Sequence, residues 1–369
     1  MSQRQTIQFD TSESGKSNDP FNADELQNKS PKKQGGDTPF GLLVQSFTAA
    51  KLQESETGTI NPFKLFYEDE ITGKPRFSFP QGCHLSEATI KDIGERVPTQ
   101  PVVMQTVIRE TQETTAEILK NTELQGTRNA YIGNAFNVPV LQTKLVEFPR
   151  LKSKPEVRVI KGDTYDMALD MYKAENKSDH MPICVLNFAN AQHPGGGWLR
   201  GARAQEEQLF YRSTLSGCLN EAFYPLEELD CLYSPYVVVF RENVDKSYEF
   251  MKTHGVVSVI SMAAQRNPPL TKEKDMYKNK EDQELMKAKI RGILRLAGHN
   301  NHRRLALGAL GCGAFGHPAE AVSNCWKDVL LEAEFSGWFE RIHFIIRDAP
   351  NENNYDIFLK SLNHVGLAM

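Results

Sequence analysis

From residue 105 onward, short apolar runs alternate with stretches of helical spacing, and this alternation narrows the chain to one fold class. "EVRVI" (156–160), "PICVLNFA" (182–189), "YVVVF" (236–240), "VVSVISMAA" (256–264), "RRLALGAL" (303–310) and "RIHFIIRD" (341–348) have strand length. Helical patterns precede and separate them: "QTVIRETQETTAEILKN", "GDTYDMALDMYKAE", "AQEEQLFYRSTLSGCLNEAF", "KEDQELMKAKIRGILRLAGHN", "PAEAVSNCWKDVLLEAEF" and a final "YDIFLKSL". Strands alternating with helices predict an α/β domain with a largely parallel central sheet. "PICVLNFA" is nearly all apolar, as expected of a central strand buried on both faces.

The rest of the chain reads differently. Residues 1–39 are polar and nearly devoid of large apolar side chains, so they cannot offset their ordering entropy and are predicted disordered. Residues 40–103 hold apolar clusters broken by Pro and Gly and form an unassigned extension. The structured domain is expected over 104–369. A net charge of −4 argues against a dedicated nucleic-acid binder. The six cysteines are scattered, with no C-x-x-C pair, and read as free thiols of a reducing compartment. No signal-peptide core or apolar run of about 20 residues occurs, so a soluble, intracellular protein is expected.

In open α/β sheets ligands bind outside the carboxyl ends of the strands. Two glycine-rich loops are expected there: Gly195-Gly196-Gly197 after "PICVLNFA", and "GCGAFG" (311–316) after "RRLALGAL". Glycine runs let backbone N–H groups converge on one point, and two facing loops suit a diphosphate. "GCGAFG" is also a literal G-x-G-x-x-G, which invites a dinucleotide-binding reading. Only 53 residues (317–369) follow it, and the acid expected about 20 residues further on is absent.

After a spacer of seven residues the first loop is followed by Gln205, Glu206 and Glu207. Stepping from Glu207 by three and four reaches Tyr211, Leu215 and Cys218, so Glu207 falls at the start of a buried helical face. Glu206 falls about 100° away, and the two carboxylates are expected to point at different spots. Glu206 reads as an acid favoured by the helix dipole. An acid buried at the position of Glu207 beside a bound anion is placed for general acid work.

These residues carry a family resemblance. "GGGWLRGARAQEE" resembles the poly(ADP-ribose) glycohydrolase signature, and its surroundings resemble the microbial-type branch within the macrodomain superfamily. "VRVIKGDTYDMA" is similar to the first strand and turn of a macrodomain, and "LALGALGCGAFGHP" to its second phosphate loop; the likeness runs over roughly 107–365. It implies a macrodomain-like three-layer α/β/α sandwich with a central mixed, largely parallel sheet, plus an N-terminal helical or irregular extension. It implies hydrolysis of ribose–ribose bonds in poly(ADP-ribose), with Glu207 as general acid/base and Glu206 as its ribose-orienting neighbour. Asn190 matches the asparagine on the distal ribose. Gly195, Gly196 and Gly197 match the first diphosphate loop, with Gln205 leading the acidic pair. Gly311, Cys312, Gly313, Ala314 and Phe315 match the second loop, and Asp163 matches the acid that recognises adenine.

Neither a cofactor nor a metal is implied. The expected ligand is poly(ADP-ribose) or ADP-ribose, carried on ADP-ribosylated proteins in the DNA damage response, with no direct DNA contact and no membrane. Arg200, Arg203 and Arg212 are expected to flank the site, either attracting a polyanion or as solvated surface groups. The rival reading is a non-hydrolysing ADP-ribose binder, which would have no need of the acid at 207.

Overall fold

The computed structural model describes residues 100–120, 131–135, 137–141, 150–173 and 181–362, with two short strands, β1 (Tyr67–Glu68) and β2 (Pro75–Arg76), paired antiparallel. The segment expected to be disordered, 1–39, lies outside the described residues, as does nearly all of the 40–103 extension.

A seven-stranded sheet organises the described residues. Its strands are β3 (Tyr131–Asn134), β4 (Glu156–Lys161), β5 (Ile183–Phe188), β6 (Asp230–Arg241), β7 (Phe250–Met262), β8 (Arg304–Leu307) and β9 (Arg341–Ile346). The spatial order is β3-β6-β7-β5-β8-β9-β4. The β3–β6 and β6–β7 pairs are antiparallel; the other four pairs are parallel. The expected mixed, largely parallel sheet is what forms, with β5 central and buried from Ile183 to Asn187.

Period-two alternation builds the three layers. On β9, Ile345 joins a core shared with α1 (Gln100–Ile118), α2 (Thr164–Lys173) and α3 (Gln205–Arg212). Its neighbour Phe344 faces the other way, with ring centroids 5.3 Å from Trp326 and 6.0 Å from Phe358. Those rings belong to α6 (Ala319–Leu330) and α7 (Asn354–Leu362), which flank the second face with α5 (Lys280–His299).

Two local expectations change. The stretch 204–223 is not one helix. α3 stops at Arg212 because Ser213 is extended (φ −150°) and bridges Val239 of β6; α4 (Leu215–Cys218) follows. The Thr214 N–H donates to the Val238 carbonyl at 2.9 Å, and its hydroxyl accepts from the Val238 N–H at 3.0 Å. A β-ladder contact thus replaces a turn of helix. Second, β6 is twelve residues long, not the five of "YVVVF". A register shift between Ser234 and Val237, with Tyr236 at φ 53°, absorbs Pro235. Proline in a strand argues against a strand from sequence and marks a bulge in structure.

Candidate active site

The two glycine loops leave the carboxyl ends of β5 and β8, which are neighbours in the sheet. α3 begins against the first of them. Glu206 and Glu207, in its first turn, are 3% and 7% exposed. They do not diverge as the helical wheel suggests. The loop folds over both: a Cβ built on Gly196 (φ +53°) would stand 2.8 Å from Glu207 Oε1 and 3.2 Å from Glu206 Oε2. Only glycine lets the backbone pass so close.

The two acids are nevertheless held differently. Glu206 Oε1 accepts from the Gly195 N–H (3.1 Å) and the Asn187 side-chain amide (3.3 Å), and Oε2 accepts from the Asn190 N–H (2.8 Å). Burial pushes its pKa up, to about 8, against these three donors; the charge of Glu207 adds to the rise. Glu207 Oε1 accepts from the Gly197 N–H at 2.9 Å, while Oε2 is buried and has no hydrogen-bond partner.

The N–H groups of the first loop, expected to converge on a diphosphate, are engaged within the protein. Gly195 is taken by Glu206, Gly197 by Glu207, and Gly196 by the His193 carbonyl at 3.1 Å. The second loop is the open one. Among the described residues, the N–H groups of Gly313, Ala314 and Phe315 meet no protein acceptor, and a Cβ on Gly313 would meet nothing within 4 Å. His317 braces that loop from behind. Its Nε2 donates to the Gln265 carbonyl (2.6 Å), its Nδ1 accepts from the Tyr277 hydroxyl (2.7 Å), and its ring lies where a Cβ on Gly311 would go.

A cavity of about 350 Å³ opens at the carboxyl ends of β4, β5, β8 and β9. Gly311, Gly313, Ala314 and Phe315 line it, as do Asp163 and Gln205. Cys312 lies within the same loop with its thiol near the Leu310 carbonyl, and burial raises its pKa. Asn190, the first glycine loop and both acids are not among the walls. The cavity therefore stands beside the acids, with Ala204 and Gln205 at the start of α3 between them.

Several side chains do work that sequence spacing does not reveal. The Gln205 amide spans the end of β5, accepting from the Phe188 N–H (2.9 Å) and donating to the Leu186 carbonyl (2.8 Å). Asn190 Oδ1 accepts from the N–H groups of Gln192 and His193 and so shapes the turn into the glycines. Asp163 caps α2 through the N–H groups of Tyr165 and Asp166. Arg212 is not a surface arginine: it is fully buried and ion-paired with Asp163 and Asp166, which fastens the end of α3 to the start of α2. Arg200 and Arg203 are exposed. Asn187 and Tyr211 were missed. Asn187 interrupts an apolar run, which is a legible signal. Tyr211 donates toward the carbonyls of Trp198 and Ala202 (2.8 Å each) and closes the link between glycines and acids, which only the fold shows. Among the described residues no three His, Cys, Asp or Glu side chains stand together as a metal would require.

This is a macrodomain-like α/β fold, and its relatives place on it a hydrolase of the glycosidase class. Residues 99–242 match the family model described as microbial-type PARG, catalytic domain, a span that takes in α1, the first glycine loop, both acids and β6. Over that span the described domain is similar to the microbial-type PARG catalytic domain. Among solved structures, poly(ADP-ribose) glycohydrolase from Thermomonospora curvata is 26% identical, with a TM-score of 0.58 over 70% of this chain and 98% of that one. The same enzyme bound to the inhibitor ADP-HPD superposes with a TM-score of 0.56. The Deinococcus radiodurans enzyme in complex with ADP-ribose, 23% identical, shares the fold with a TM-score of 0.53 over 64% of this chain and 96% of that one. No curated protein matches the chain.

Proposed function

We propose that this protein hydrolyses the ribose–ribose O-glycosidic bonds of poly(ADP-ribose) and releases ADP-ribose, with Glu207 as general acid and base. The observation that carries this reading is Glu207 Oε2, buried and without a partner, beside a Glu206 carboxylate whose two oxygens are both engaged. One oxygen of one acid is left to exchange a proton with a ligand.

The second glycine loop takes the diphosphate on its free N–H groups, and the ADP portion fills the cavity. The distal ribose then reaches the first loop, where Gly196 lets it approach Glu207 without a Cβ in the way. Glu207 protonates the leaving ribose oxygen as an oxocarbenium ion develops. The same carboxylate, now ionised, takes a proton from the attacking water. Glu206 acts by holding Asn190, Gly195 and Asn187 in place. Substrate is polymer on ADP-ribosylated proteins, within the cell. Among the described residues no helix is long and apolar enough to cross a membrane.

The test is release of ADP-ribose from purified poly(ADP-ribose). Glu207→Gln should lower turnover by about 10²–10⁴-fold while ADP-ribose affinity stays within a few-fold. Near wild-type release by that variant overturns the assignment. Wild-type protein that binds ADP-ribose but leaves polymer intact is a binder instead.

A further inference from the structure

Gln208 follows the acidic pair and lines the cavity. Its Oε1 accepts a hydrogen bond from the Tyr248 hydroxyl at 2.8 Å. That bond sets the amide: the oxygen is turned to Tyr248, and among the described residues the –NH2 group has no protein acceptor. Gln205, the other glutamine in the same wall, has both ends of its amide on the backbone of β5. The amide donors in this wall that remain available are those of Gln208.

Tyr248 is placed with unusual firmness. It is 3% exposed and meets the Tyr211 ring edge-on at 5.5 Å. Its N–H donates to the Asn243 carbonyl, and its carbonyl accepts from the buried Arg241 guanidinium at 2.8 Å. Ser247 and Tyr248 are both left-handed, at φ 52° and 56°. Such residues cost about 1–3 kcal/mol each and persist only where their surroundings hold them. This strain carries one phenol to one glutamine at the cavity wall.

We propose that Gln208 is a specificity-determining residue that donates a hydrogen bond to an acceptor atom of the ADP portion of the ligand, with Tyr248 as its positioning residue. This rests on the reading of the site as one for ADP-ribose. The scissile bond must lie at Glu207, which is outside the cavity walls, so the ligand portion inside the cavity is the one away from the distal ribose.

The experiment measures calorimetric affinity for ADP-ribose and for ADP, and KM and kcat on poly(ADP-ribose). Gln208→Leu should weaken both ligands by the same factor, about 10-fold, as loss of one well-made hydrogen bond does. It should raise KM similarly and leave kcat within two-fold. Tyr248→Phe should weaken both ligands about 3-fold through KM alone; a merely structural tyrosine would lower the melting temperature and kcat instead. Unchanged affinity in Gln208→Leu overturns the proposal, and so does a loss for ADP-ribose without a loss for ADP. Wild-type protein that takes ADP-ribose but not ADP also overturns it, and leaves the function standing. Wild-type protein that takes neither fails the function itself.

Discussion

The Gly195 N–H donates to Glu206 Oε1 at 3.1 Å, so the first glycine loop and the acid next to Glu207 are a single hydrogen-bonded unit. Glu206 accepts from three N–H donors. Glu206→Gln replaces one acceptor oxygen by an –NH2 group that must face a donor. A buried donor left without a partner costs about 1–3 kcal/mol. Denaturant unfolding should show that loss for Glu206→Gln and little for Glu207→Gln, whose Oε1 alone is bonded. Equal stability of the two variants would mean that Glu206 does not hold the loop.

The two loops should also respond differently to a Cβ. Gly313→Val meets open space on the cavity side, so the melting temperature should hold while ADP-ribose affinity collapses. Gly196→Val starts from φ +53° and lands on both carboxylates, so stability and turnover should fall together. Calorimetry beside thermal melts separates the two. Normal affinity in a folded Gly313→Val protein would place the diphosphate elsewhere.

Much of this was legible in the chain. Six of the seven strands of the main sheet, the central place of β5 and the two glycine loops at neighbouring strand ends follow from periodicity and composition. β3 was not foreseen; its four residues, "YIGN", carry too little pattern. The break at Ser213 was hidden because its cause, Val239, lies 26 residues away and only tertiary pairing brings them together. The burial of Arg212 was hidden for the same reason, since Asp163 and Asp166 reach it from another helix. The helical wheel separates Glu207, at the start of the buried face, from Glu206; what it could not show is the loop that bends over both.

His343 offers a pH test away from the site. Both ring nitrogens are buried without a hydrogen-bond partner, between β4 and β8. Desolvation lowers its pKa to about 4, with Glu156 opposing and Arg341 and Arg158 adding to the drop. Unfolded, the ring titrates near 6.5. Between those values the unfolded chain binds the extra proton, so this contribution is complete above pH 6.5 and is lost as pH falls toward 4. His343→Leu should therefore stabilise the fold by about 1 kcal/mol at neutral pH, by removing unsatisfied groups. The gain should widen below pH 6.5. Glu206, with a raised pKa and the opposite sign, is common to both proteins and cancels in the difference. A constant difference from pH 7.5 to 5 would show that His343 does not titrate on unfolding.

α1 should be part of the catalytic unit. The Thr111 hydroxyl donates to the Tyr211 carbonyl at 2.9 Å, and Glu110 pairs with Arg241 at 2.9 Å. Arg241 is 1% exposed, lies over the Phe250 ring at 3.9 Å and holds the Tyr248 carbonyl. Removing one partner of a buried pair typically costs about 3–5 kcal/mol, because the other charge is stranded. Glu110→Ala should lose stability on that scale and weaken substrate binding through Tyr248. We propose further that a chain beginning at Gln105, which keeps both contacts, folds and turns over polymer, whereas one beginning at Leu119 does not. Circular dichroism and ADP-ribose release read the two outcomes. A folded, active chain from Leu119 would show that α1 only covers the sheet.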